Sequence, residues 1–123
     1  MKNQAYRMAM LFDFYGDLLT ERQREFYDLY YNEDLSLAEI AENYGISRQG
    51  VRDVIVRAEA AMTEIEDKTH IIRRFQQSRA AIDAINNAVD RLLQSVDRRS
   101  YNDAMLDEIA RTIKENAAKL EQE

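Results

Sequence analysis

The chain has 123 residues, 46% of them apolar and 33% charged, and 17 Lys and Arg stand against 23 Asp and Glu for a net charge of -6. That length holds one domain, or one small domain with an appendage, and the apolar share is enough for a core. The absence of cysteine excludes disulfides, thiolate metal sites and a thiol nucleophile and suits a reducing compartment.

There is no proline and there are only three glycines, so helix is favoured almost everywhere, and no run of alternating β-branched residues marks a strand. The expected class is all-α. The first helix is predicted over about residues 3–15, with Tyr6, Met10, Phe14 and Leu11 marking its apolar face and Gly16 closing it as a left-handed residue. Its charges fall among apolar residues, so it reads as an amphipathic helix and not as a signal peptide. No segment approaches the roughly 20 apolar residues that span a bilayer. A cytoplasmic protein without membrane insertion is expected.

The second helix opens at Thr20, with Gln23 three residues on as a capping box. Phe26, Leu29 and Tyr30 follow at helical spacing. The aromatic "YDLYY", residues 27–31, reads first as core and second as a surface for stacking bases. Ser36 with Glu39 makes a second capping box for a short helix from about Leu37 to Tyr44. Ala41 is small enough for a close helix crossing, Gly45 tolerates positive φ, and Ile46 plugs the crossing. Ser47 then caps a fourth helix that starts at Arg48, with Val51, Val54, Ile55, Ala58 and Met62 on its buried stripe. These requirements together specify a helix-turn-helix.

The fourth helix is expected to run on or to bend near Asp67–Thr69, with the single histidine, His70, at the surface or at a junction. Beyond it, Ile71, Phe75, Ser78, Ile82, Ile85, Val89, Leu92 and Val96 alternate spacings of four and three, a heptad seam with one polar member. Ser100 or Asn102 caps a last helix with Leu106, Ile109, Ile113, Ala117 and Leu120 on one face. Two modules follow: residues 1–66 with the helix-turn-helix, and residues 68–123 as a helical hairpin. The last helix is shorter than the seam. The remaining apolar surface is left for the first helix or for a second subunit, which makes the hairpin a candidate homodimerisation element.

A second helix laid in a major groove would present Ser47, Arg48, Gln49, Arg52 and Asp53 in its first turns, with Arg57 further along for a phosphate. Gly50 would let a backbone approach closely. The same residues are equally the solvent face of a helix, and Asp53, Glu39, Glu42 and Glu59 oppose phosphate. No region is a strong basic patch: residues 63–99, the most basic, hold seven basic and six acidic groups. No metalloprotease helix, phosphate-cradling loop or Ser/His/Asp set is present, so neither an enzyme nor a cofactor is expected.

The stretch "LTERQREFYDLYYNEDLSLAEIAENYGISRQGVRDVIVRAEAAM", residues 19–62, resembles region 4 of sigma factors. The chain more closely resembles the YlxM family, small helix-turn-helix proteins associated with the signal recognition particle. That resemblance is carried by "RMAMLFDFYGDLLTERQREFYDLYYNEDLSLAEIAE" and "GISRQGVRDVIVRAE" and covers the first two-thirds of the chain. The last third matches only in being helical. Family genes typically neighbour that of the particle's GTPase subunit. The resemblance therefore implies a regulatory or accessory protein of co-translational targeting, with the particle's protein or RNA as partner and no catalytic residue to carry over. The sigma resemblance implies a promoter-reading, DNA-binding helix at Arg48, Gln49, Arg52 and Arg57 in a transcriptional regulator. The absence of core-polymerase-binding regions implies that this is not a complete sigma factor.

Overall fold

The computed structural model describes residues 5–122. Six α-helices follow in order: α1 (Ala5–Tyr15), α2 (Glu21–Tyr31), α3 (Leu37–Tyr44), α4 (Arg48–Thr69), α5 (Ile71–Asp97) and α6 (Asp103–Glu121), with a short 3-10 turn at Gly16–Leu18. No strand occurs among the described residues, and the fold is all-α. The first two residues of the predicted α1 lie outside the described range. Two compact units are formed, Met1–Ile72 and Arg73–Glu123.

In the first unit, local chemistry sets each helix start. The Thr20 hydroxyl accepts from the Gln23 N–H at 3.2 Å, and Gln23 Oε1 accepts from the Thr20 N–H at 3.1 Å. Ser36 and Glu39 repeat the arrangement at 3.1 and 3.2 Å. Both boxes satisfy amides that the first helical turn leaves without partners. At the far end of α3, Gly45 takes φ 65 and ψ 32, and its N–H returns to the Ala41 carbonyl. Ile46 also donates to Ala41, at 3.1 Å.

The core of this unit is built on one face of α4. Val51, Ile55, Ala58 and Met62 are fully buried, among Leu11, Tyr15, Phe26, Tyr27 and Ile40 from the other helices. Rings fill much of it: Phe12 stacks on Tyr27 at 5.2 Å, and Phe26 meets Tyr44 edge-on at 4.8 Å. Tyr27 spends its hydroxyl on the Met8 carbonyl at 2.6 Å, so the buried O–H is not left unpaired. The "YDLYY" stretch is therefore core, with Tyr27 and Tyr30 buried and Tyr31 donating its hydroxyl to Glu59.

Two expectations for α1 are corrected. Its fully buried residues are Met8, Leu11 and Tyr15, with Met10 and Phe14 half-buried against the core as expected, but Tyr6 is 75% exposed. The helix is apolar nearly all round, so periodicity alone did not select a face. Gly16 is not left-handed, since Gly45 is the positive-φ glycine; it opens the 3-10 turn instead. A Cβ there would sit 3.1 Å from the Phe12 ring, so glycine is required by close approach.

The first unit ends in a polar clip. His70 is left-handed at φ 54 and terminates α4, a junction role. Glu66 Oε1 accepts from the Tyr15 hydroxyl at 2.6 Å and from the Ile72 N–H at 2.9 Å, and thereby caps the first turn of α5. A carboxylate suits that place because it faces the positive end of a helix dipole.

In the second unit, Asn102 and not Ser100 caps α6, accepting from the Met105 N–H at 2.9 Å. Arg91 pairs with Glu108 at 3.3 Å, and the Ser95 hydroxyl, bonded to the Arg91 carbonyl, lies 3.5 Å from the Met105 sulfur. The predicted seam of α5 is split. The line turned to α6 runs through Ala81, Ala88 and Ser95, all buried, with Ser78, Ile85 and Leu92 half-buried beside it. Phe75, Ile82, Val89 and Val96 of the expected seam are exposed. α6 has 19 residues against 27 in α5, and it covers the small-residue line adjacent to the predicted one.

Two outcomes follow for the first unit. Gly45→Ala adds a Cβ that meets nothing within 4 Å, so its effect is the backbone cost of a left-handed residue. Urea denaturation is expected to show a loss of about 1 kcal/mol with an unchanged slope. The second concerns alkali. Burial, reinforced by Glu59, pushes the Tyr27 and Tyr31 hydroxyls well above the ordinary 10.0. Burial and the bond to Glu66 raise Tyr15, and the bond to Glu25 raises Tyr44. The fold thus prefers the protonated phenols. Their stabilisation is complete below the unfolded value near pH 10 and is lost as pH climbs through the folded values. Urea midpoints should hold level up to about pH 10 and then fall, less steeply in Tyr31→Phe.

Candidate nucleic-acid interface

Ser47, Arg48, Gln49, Arg52 and Arg57 lie on the first half of α4, and all five are exposed. Ser47 Oγ accepts from the Gly50 N–H at 3.0 Å, and the Ser47 carbonyl accepts from Val51 at 3.1 Å. The cap is thus itself part of the candidate surface. Its oxygen holds the helix start, and that bond does not use its hydroxyl hydrogen.

Helical geometry divides the remaining four. Arg48 and Arg52 form one i, i+4 ridge, and Gln49, Asp53 and Arg57 form the next. Arg57 stands nine residues beyond Arg48, about 13 Å along the axis. The structure therefore brings Arg48, Gln49 and Arg52 together at the helix start and places Arg57 apart, next to Asp53 on its ridge. Gln49 is already engaged: its Nε2 donates to Asp53 Oδ1 at 2.8 Å. To read a base edge, Gln49 must release that carboxylate, which discounts any contact it makes.

Gly50 also has a local role. An added Cβ would lie 3.2 Å from Ser47 Oγ and 3.7 Å from Ile46 Cδ1. The missing side chain makes room for the cap and the turn. Two of the acidic neighbours also have structural work: Glu39 closes the α3 capping box and Glu59 receives Tyr31. Asp53 meets the candidate surface directly, through its hydrogen bond from Gln49. The pairing of Gln49 with Asp53 was legible as an i, i+4 spacing and was not drawn from the sequence.

The charge divides by unit. The first carries eight basic and fourteen acidic groups, the whole of the chain's net -6, and the second carries nine of each. The second unit has its own groove of about 610 Å³, bordered by Arg74, Gln77, Ala80, Ala81, Asn116, Lys119 and Gln122 with no carboxylate among them. Among the described residues, no group of three or more His, Asp or Glu is placed to hold a metal ion, and no helix is long and apolar enough to cross a membrane.

This is a helix-turn-helix whose second helix extends far past the turn. Residues 2–100 match the UPF0122 family, described as helix-turn-helix proteins of YlxM/p13 type. The chain belongs to that family. It is 48% identical over 94 residues to a UPF0122 protein of Symbiobacterium thermophilum, covering 76% of this chain and 88% of that one. It is 48% identical over 82 residues to one of Desulforamulus reducens, covering 66% and 70%. It is 40% identical over 108 residues to one of a Thermoanaerobacter species, covering 88% and 92%. The family match takes in α1 to α5 and stops before α6.

Removing the cap tests how the surface is held. Ser47→Ala is expected to cost about 1 kcal/mol in urea denaturation. It should also speed hydrogen exchange at the Gly50 amide before the rest of α4 responds.

Proposed function

We propose that the protein is a non-enzymatic accessory or regulatory component of the signal recognition particle pathway, acting in the cytoplasm through its helix-turn-helix unit. Membership of the UPF0122 family of YlxM/p13-like proteins supports this reading, because the resemblance to YlxM proteins implies an association with that particle. The electrostatics narrow the partner. A unit with a net charge of -6 repels a nucleic-acid backbone at long range and suits a basic protein surface. The particle's protein is therefore favoured over its RNA.

A second reading is sequence-specific DNA binding by a transcriptional regulator. The exposed Arg48, Gln49 and Arg52 at the start of α4 favour it, because arginine pairs with guanine and glutamine with adenine in the major groove. Short-range contacts would then have to overcome the repulsive field.

One comparison separates the readings: binding of the full chain to the particle's purified GTPase, to its RNA and to duplex DNA, each at physiological salt. Binding to the GTPase, with duplex DNA ignored, is expected. Recovery of neither particle component would sink the first reading. If duplex DNA is bound instead, Arg48→Ala and Arg52→Ala should each lower the slope of log affinity against log salt by about one. Arg57→Ala, on the other ridge, should leave the base preference intact.

A further inference from the structure

Among the described residues, most of the exposed large apolar side chains lie on α5, with Tyr6, Leu18 and Tyr101 elsewhere. Ile71, Phe75, Ile82, Val89, Leu93 and Val96 are 42, 50, 39, 37, 61 and 56% exposed. Phe75, Ile82 and Val89 stand seven residues apart, and Val96 continues the series. With Arg79, Asn86 and Leu93 between them, they form a second heptad line beside the one that faces α6. We propose that this line is the interface of a homodimer, in which α5 of one copy packs against α5 of a second.

The occupant follows from four observations. A seven-residue repeat over three heptads is matched along its length by another helix of the same repeat, and α5 itself offers one. The line from Phe75 to Val96 runs about 30 Å. A seam of that length, with its flanking residues, is of the order of the roughly 800 Å² per partner that stable interfaces bury. The second unit carries nine basic and nine acidic groups, so two hairpins meet without net repulsion between them, and its neutral balance does not draw it to a membrane or a nucleic acid. Finally, the polar members suit a symmetric seam. Arg79 is paired with its own Asp83 at 3.6 Å, and Asn86 stands at the middle of the line, where a buried asparagine fixes register.

The interface uses residues that the helix-turn-helix reading does not, so either can fail alone. Sedimentation equilibrium of the full chain is expected to give a dimer. Ile82→Glu combined with Val89→Glu should weaken association by roughly a hundredfold or more with helicity kept in circular dichroism. Should that pair disturb the hairpin, Leu93→Glu with Val96→Glu, at more than half-exposed positions, should weaken association in the same way. A chain that stays monomeric at every concentration overturns the proposal, because the line is then covered within one molecule or left open. A dimer indifferent to the substitutions in well-folded variants overturns it as well, because the contact then lies elsewhere.

Discussion

Everything in the first unit depends on the burial of one face of α4. Val51, Ile55, Ala58 and Met62 must leave water together, and α1, α2 and α3 each supply part of the surface that covers them. The same helix carries Arg48, Gln49 and Arg52 on its outer side. A rigid core and an exposed ridge are therefore two sides of one object, and the precision of the ridge is inherited from the packing beneath it. Ser47 and Gly45 serve both ends, since one caps the helix and the other sets the angle at which the chain enters it.

Features that depend on a few adjacent residues were legible in the sequence. Thr20, Ser36, Gly45, Ser47 and Asn102 end or start helices through contacts within four residues, and each was readable as a pattern. The helix-turn-helix followed because its requirements are also local. What was not legible was the choice among apolar faces. α1 is apolar nearly all round, and only the shape of the pocket between α2 and α4 selects Met8, Leu11 and Tyr15 over Tyr6. On α5 the predicted seam and the line that faces α6 share Ser78, Ile85 and Leu92. The approach of α6, with Arg91 on Glu108 and Ser95 beside Met105, decides that Ala81 and Ala88 are covered and Ile82 and Val89 are not.

The candidate surface was legible as a set of residues but not as a geometry. All five positions are exposed, yet Arg57 lies further along the helix than the other four and Gln49 is held by Asp53. Gly50 has a local reason as well, since a small residue at a suspected contact also accommodates the cap. The acidic residues near the motif are likewise explained in part by capping and by tyrosine binding, which leaves the net charge of the whole unit as the stronger electrostatic fact.

The placement of the aromatic residues has a spectroscopic consequence. The chain has no tryptophan and seven tyrosines, and six of these belong to the first unit, with Tyr101 alone in the second. Near-ultraviolet dichroism and tyrosine emission therefore report almost entirely on the packing around Tyr15, Tyr27, Tyr30, Tyr31 and Tyr44. Far-ultraviolet dichroism counts helices in both units. Melting followed in the two bands separates the loss of the helix-turn-helix core from the loss of the hairpin, with no label attached to either.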